Sequence, residues 1–191
     1  SAAELQPWID LIRRRGWVAV DTETTGLDEM TVDLVGISLA VEPGAACYIP
    51  LAHRAAAQDD LFGGEDLAEG QMPLDEALAM LKPVLEDPAI LKIGQNMKYD
   101  AKIFALRGID VAPIDDTMLM SYALHAGLHG HGMDTLSERY LGHTPIPIKP
   151  LLGSGKSAIT FDKVPVGDAT AYAAEDADIT LRLWQLFKPQ L

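Results

Sequence analysis

Cysteine is nearly missing from this chain: Cys47 is the one thiol in 191 residues. A single cysteine excludes an internal disulfide and fits a reducing compartment. Basic side chains are also scarce, with 15 Lys and Arg against 28 Asp and Glu and a formal net charge of −13. Phosphate contacts need Lys and Arg, so this balance argues against a freestanding, tight nucleic-acid binder. It leaves room for a site whose positive charge arrives as metal ions, or for a neighbouring domain that supplies the basic surface. No stretch approaches the ~20 apolar residues of a membrane span, so no membrane association is expected. Residues 1–17, SAAELQPWIDLIRRRGW, lack the basic start and apolar core of a secretory signal. The chain also lacks a starting Met, which fits a processed protein or an excised piece. What remains is globular in character, 48% hydrophobic, and of a length that suits one well-buried domain over residues 1–191.

Periodicity divides the chain into alternating elements. Leu5, Trp8, Ile9 and Ile12 recur at helical spacing, with Arg13, Arg14 and Arg15 near the C-terminus of that helix. Strands are predicted over 17–23, 32–41 and 46–51, the last two joined by the turn EPG. Residues 52–72 read as a mobile surface loop. Helices are predicted over 74–87, 97–108, 116–127, 134–142 and from about 168 to 187, with short strands at 89–94 and 111–114. Asn96 and Gly108 are the expected caps of the second of these helices, and Asp116 of the third. The Pro-, Gly- and Lys-rich segment 143–165 is expected to loop out. Three linked strands followed by strands alternating with helices give an α/β fold, an antiparallel meander that then turns parallel.

The sharpest chemical signal is VAVDTETTGLD. Alternation along a strand sends Asp21 and Glu23 to the same side, at the end of an apolar run. A structural strand has little reason to place two like charges together; a divalent cation supplies one, since hard cations need converging carboxylate oxygens. Two further acidic clusters follow, GQNMKYDAKIF with Asp100 and YAAEDADIT with Tyr172 and Asp176. Tyr172 and Asp176 are spaced i, i+4 and share a helix face. Four acids in one site would repel unless cations bind them. Two ions ~3.5–4 Å apart suit phosphodiester hydrolysis, one generating the nucleophile and the other stabilising the leaving oxygen. Carboxylates without histidine fit Mg²⁺. A phenol of ordinary acidity is a poor base near neutrality, so Tyr172 is assigned to orienting water.

Taken together, these three motifs resemble those of the DnaQ-like, four-acid exonucleases, and Tyr172 ahead of the last Asp places the chain in their tyrosine branch. YIPLAHR, DDTMLMSYAL, MDTLSERYLG and GSGKSAITF extend the likeness, over nearly the whole chain, to the proofreading domains of bacterial family A DNA polymerases. The resemblance implies a ribonuclease H-like mixed sheet flanked by helices. It implies a 3′–5′ exonuclease that uses two divalent ions, Mg²⁺ or Mn²⁺, with Zn²⁺ admissible at the tighter site. Asp21, Glu23 and Asp176 match the ligands of that tighter ion, Asp21 also bridges to the second, and Asp100 matches its outer-shell partner. Tyr172 matches the water-orienting residue. Glu23 and the backbone of Thr24 would meet the terminal 3′-hydroxyl, Leu27 would wedge against the last bases, and Asn96 and Tyr99 would line the strand-binding cleft. Ile148 stands where the family often has an aromatic wedge, whose stacking contributes ~1–3 kcal/mol per base. The implied partners are a single-stranded DNA 3′ end and a polymerase domain of the same parent chain, in a monomeric, cytoplasmic, nucleoid-associated bacterial enzyme. The stop after LRLWQLFKPQL adds the expectation of a domain cut from a longer protein.

Other motifs weigh less. His125, His129 and His131 lie close together, but their spacing matches no closed zinc site. GSGKS has Pro150 where a phosphate loop needs its first glycine. Asp115 and Asp116 read as helix caps, Glu175 and Asp178 as a solvated face, and Cys47 as a small buried residue. The competing readings are a ribonuclease D-like RNA exonuclease, which shares the acids and the tyrosine, and a catalytically silent scaffold, which would be expected to have lost acids.

Overall fold

A computed structural model describes residues 1–55 and 66–191. The chain opens with α1 (Ala2–Arg15), followed by β1 (Trp17–Thr24), β2 (Leu34–Glu42) and β3 (Ala45–Pro50). Then come α2 (Leu74–Leu85), β4 (Leu91–Gly94), α3 (Met97–Ala105), β5 (Ile114–Asp116) and α4 (Thr117–His125). Two short helices, α5 (Met133–Leu136) and α6 (Lys149–Leu152), precede the long α7 (Val166–Phe187). Local chemistry sets these limits. Ser1 and Glu4 form a reciprocal capping box at the start of α1, and Gly16 ends it at φ +78°. Leu5, Ile9 and Ile12 supply its buried stripe.

The five strands lie in the order β3-β2-β1-β4-β5. β1 pairs antiparallel with β2, and β2 with β3; β4 runs parallel to β1, and β5 to β4. The expected meander and parallel extension, with helices on both faces, are what is found. On one face Val18, Val20, Ile37, Leu39 and Val41 pack against α1, α2 and α3 through Ile12, Leu81, Leu85 and Phe104. On the other face the residues are small. Ala19 and Ala40, with Ile93, meet Ala177 and Leu181 of α7, while Ala169 and Ala173 pack near Val35 and Tyr48. Alanine facing alanine lets a helix approach a sheet closely, and this contact carries one wall of the functional site.

Several local expectations need correction. Asn96 adopts φ +56° and caps nothing with its side chain. Asp116 does that work, accepting from the Asn96 and Met97 N–H groups at 3.0 and 2.8 Å while also capping α4 through Met118. The strand expected at 111–114 lies at Ile114–Asp116, where it can pair with β4. The helix expected over 134–142 is one turn of α-helix that widens into a π-turn at Ser137–Leu141. Segment 143–165 does not simply loop out: Phe161 and Val164 are buried, and α6 and two 3₁₀ turns order it. Of the loop expected over 52–72, residues 56–65 lie outside the described residues. Its flanks are tied down by an Arg54–Leu67 bridge and by His53, which is fully buried.

Candidate active site

β1 outruns its parallel partner. Its register with β4 stops at Ala19, whereas its antiparallel register with β2 continues to Thr24. The strand therefore projects Asp21 and Glu23 beyond one neighbour, toward the face that α7 covers. Opposite them on β2 stand Ser38 and Gly36, the glycine lying directly under the Tyr48 phenol. α7 brings Tyr172 and Asp176 to the same cluster. Ligand oxygens of Asp21, Glu23 and Asp176 all lie within 4.8 Å of one another. Among the described residues no other cluster of acids, histidines or cysteines closes in this way, the three histidines of 125–131 included.

Asp100 approaches from the opposite face. It sits on α3 and is 2% exposed. Its Oδ1 accepts the Thr22 N–H at 2.9 Å and the Thr22 hydroxyl at 2.5 Å. Thr22 lies between the two acids of β1, so these bonds hold Asp100 against the same strand, where its carboxyl feels the charge of Asp21 and Glu23 feels that of Asp100.

The electrostatics of the four carboxyls are those of a site without its counter-charge. Burial, and next the charge of Asp176, pushes Asp21 up to about 8. Burial pushes Asp176 up to about 7, helped by Asp134 and Glu175, while the Tyr172 hydroxyl beside it pulls the other way. Glu23 and Asp100 are raised well above the ordinary carboxylate range, again by burial first and then by neighbouring acids. None of the four forms an ion pair among the described residues. Glu23 Oε1 is buried without any hydrogen-bond partner, a cost a native structure rarely carries unless something binds there. Three converging oxygens, an orphaned carboxylate atom and no soft ligand are the donor set of a hard divalent cation. The residues present fit such an ion.

The remaining expected residues surround this cluster. Thr24 Oγ1 and Tyr99 Oη lie 2.5 Å apart, and both reach the Gly26 carbonyl, at 2.9 and 3.0 Å. This network fixes the turn that presents Leu27, whose side chain is 93% exposed. Asn96 Oδ1 is buried and unpartnered at the start of α3. Ile148 opens α6, whose Leu151 and Leu152 pack in the cluster that includes Tyr172. Burial and the acids' charges raise the Tyr172 hydroxyl, so it stays protonated.

The sequence reading missed three residues. Asp134, in the first turn of α5, adds charge that raises both Asp176 and Tyr172. Tyr48 feels Glu23 and Asp21 and is held by His53 Nε2 at 2.7 Å, whose Nδ1 lies 2.9 Å from the Val164 carbonyl. Glu175, read as solvated, accepts the Ile146 N–H at 2.6 Å and so ties the 143–148 segment to α7; Asp178 likewise accepts from Gly44. One signal pointing to this region was available. In so acidic a chain, residues 117–133 and 139–161 hold no Asp or Glu.

The family of sequences described as 3′–5′ exonuclease matches residues 1–191. DNA polymerase I of Rhizobium leguminosarum is 51% identical over 98% of this chain, which covers 19% of that protein. DNA polymerase I of Pseudomonas aeruginosa is 40% identical over 96% of the chain, again 19% of the relative. The chain thus spans about a fifth of the length of these relatives. Among solved structures, Escherichia coli RNase D shares the fold, with a TM-score of 0.65 at 20% identity over 97% of this chain and 42% of that one.

Proposed function

This chain belongs to the 3′–5′ exonuclease family, and from that premise we propose that it is the proofreading exonuclease domain of a bacterial DNA polymerase I. Residues 1–191 act as one domain, and the polymerase part of the same parent chain delivers a frayed, single-stranded DNA 3′ end in the bacterial cytoplasm. The observation that carries the reading is the convergence of Asp21, Glu23 and Asp176 from two distant segments of chain. The 51% identity to a DNA polymerase I supports the proofreading context over a ribonuclease D-like role. Among the described residues no helix is long and apolar enough to cross a membrane.

In this reading Asp21, Glu23 and Asp176 hold one divalent ion, and Asp21 with Asp100 serves a second. Mg²⁺ or Mn²⁺ bound there supplies the positive charge that makes water nucleophilic at neutral pH and stabilises the departing 3′-oxygen. The chain's own residues do the rest. Tyr172, protonated and set beside Asp176, holds the attacking water in line by a hydrogen bond. Glu23 and the Thr24 backbone receive the terminal 3′-hydroxyl, so the reaction counts from the end of the strand. Leu27 and Ile148 press apolar side chains against the last bases. Tyr99 and Asn96 line the path behind them. Water oxygen bonds to phosphorus, the P–O3′ bond breaks, and a nucleoside 5′-monophosphate leaves with a new 3′-hydroxyl on the shortened strand. One copy of the chain holds every residue named, so a monomer suffices.

The test is digestion of 5′-labelled single-stranded DNA with Mn²⁺ and with a chelator. A ladder shortening from the 3′ end, releasing mononucleotides and stopping with chelator, is expected. Faster loss of a matched RNA would replace the proofreading role with ribonuclease D-like chemistry, and no digestion of either would overturn the reading.

A further inference from the structure

Tyr122 is a surface residue of α4, 52% exposed, yet its ring is not free to swing. It lies against the imidazole of His131 with centroids 3.8 Å apart and planes 33° from parallel. That imidazole is held in turn. His131 is 8% exposed, its Nδ1 is 2.7 Å from the Ser121 hydroxyl, and its carbonyl accepts from Gln95 Nε2 at 2.9 Å. One face of the phenol is thus backed by a fixed ring while the residue as a whole stays half open to solvent. Leu119, 60% exposed, lies one turn earlier on the same face of α4.

The position of this pair matters as much as its order. Gln95, which holds His131, directly precedes Asn96 at the cleft. On the other side, Asp134 follows His131 by three residues, a reach of at most ~10 Å, and its charge is felt by Asp176. The ring pair is therefore tied on one side to the segment that carries Asn96 and on the other to the segment that carries Asp134. Residues 117–133, which carry both rings, themselves contain no Asp or Glu.

We propose that the outer face of Tyr122, backed by His131, is a stacking platform for a nucleobase upstream of the 3′ terminus. This rests on the exonuclease reading and extends it, making strand length a determinant of binding. Base stacking on aromatic rings tolerates any base because each has a π-face. It suits a proofreading site and also a chain too acidic to hold a strand by its phosphates alone. The fixed imidazole removes the rotamer entropy that an exposed tyrosine would otherwise lose on binding.

The experiment measures equilibrium binding, by fluorescence anisotropy, of oligodeoxythymidines from dimer to hexamer, protected at the 3′ linkage by phosphorothioate. Wild-type affinity is expected to climb with length. Tyr122→Ala should cut the hexamer-to-dimer affinity ratio by about tenfold, the weight of one stacked base, and Tyr122→Phe should restore it. A hexamer abasic at its upstream positions should lose the climb in the wild type and lose nothing more in Tyr122→Ala. An unchanged length dependence in Tyr122→Ala, with normal 3′ digestion, overturns the platform alone. Failure of the wild type to bind any oligomer overturns the platform and the exonuclease reading together.

Discussion

Asp100 takes both hydrogens that Thr22 can donate, the backbone N–H at 2.9 Å and the hydroxyl at 2.5 Å. The bond exists because β4 stops pairing with β1 at Ala19, leaving the Thr22 amide without a strand neighbour on that side. A helix side chain thereby replaces a strand in the ladder, and the replacement anchors an acid beside the cluster of Asp21, Glu23 and Asp176. Asp100→Asn should keep the fold, since an amide oxygen still accepts from Thr22. Its activity should fall by roughly 10–100-fold, the usual weight of an outer-shell group. Steady-state digestion and thermal melting measure the two effects; an active Asn variant would remove Asp100 from the site.

Asp176→Ala should abolish most turnover without harming the fold. It deletes a buried like charge from a helix surface, so with chelator present the variant should melt no lower than the wild type. The stabilisation that Mn²⁺ gives the wild type should vanish. Calorimetric titration showing an undiminished carboxylate-dependent Mn²⁺ site in this variant would contradict the assignment.

The raised carboxyls link metal, protons and stability. Without ions, the folded state keeps protons on Asp21 and Asp176, near 8 and 7, that the unfolded chain releases around ordinary carboxylate values. The folded state binds more protons in that window, so metal-free stability should fall as pH rises through it. A divalent ion binds the deprotonated form and reverses the trend. The melting shift produced by fixed Mn²⁺ should therefore grow from about pH 5.5 to about pH 8, as differential scanning fluorimetry can read. A shift independent of pH would mean that the ion binds elsewhere.

Tyr172→Phe should slow turnover by ~100-fold, the cost of a misplaced reactant, with metal-dependent stabilisation intact. Because burial keeps the phenol protonated, the alkaline limb of the pH–rate profile should not move. A profile that loses an ascending limb would make Tyr172 a proton acceptor instead.

Gly36→Ala tests the floor of the site. A Cβ at Gly36 would collide with the Tyr48 phenol, which His53 holds in place. The change should cost about 1–3 kcal/mol in urea unfolding, as overpacking does. It should also depress activity, because Gly36 is paired with Glu23. A neutral substitution would show that Tyr48 is free to move.

Local periodicity made part of this site readable. The i, i+2 pair Asp21 and Glu23 and the i, i+4 pair Tyr172 and Asp176 need only the pitch of a strand and a helix, and the antiparallel meander of the first three strands followed from their short links. What stayed hidden depends on register. Nothing near Thr22 in sequence announces that its amide will lack a strand partner. Asn96 looks like a helix cap because the group that does the capping, Asp116, is brought there by β5 from twenty residues on. Glu175 looks solvated because its partner, the Ile146 amide, comes from a segment whose Pro and Gly content reads as loose chain.

The alanine seam between α7 and the sheet has a consequence for tuning. Asp176 rides on a helix whose distance from β1 is set by the methyl groups of Ala19, Ala40 and Ala177, one layer below the acids. A single added methylene in that seam would tilt one jaw of the clamp while every reactive group kept its identity. The geometry of the acid cluster is thus set in part from positions that carry no reactive group.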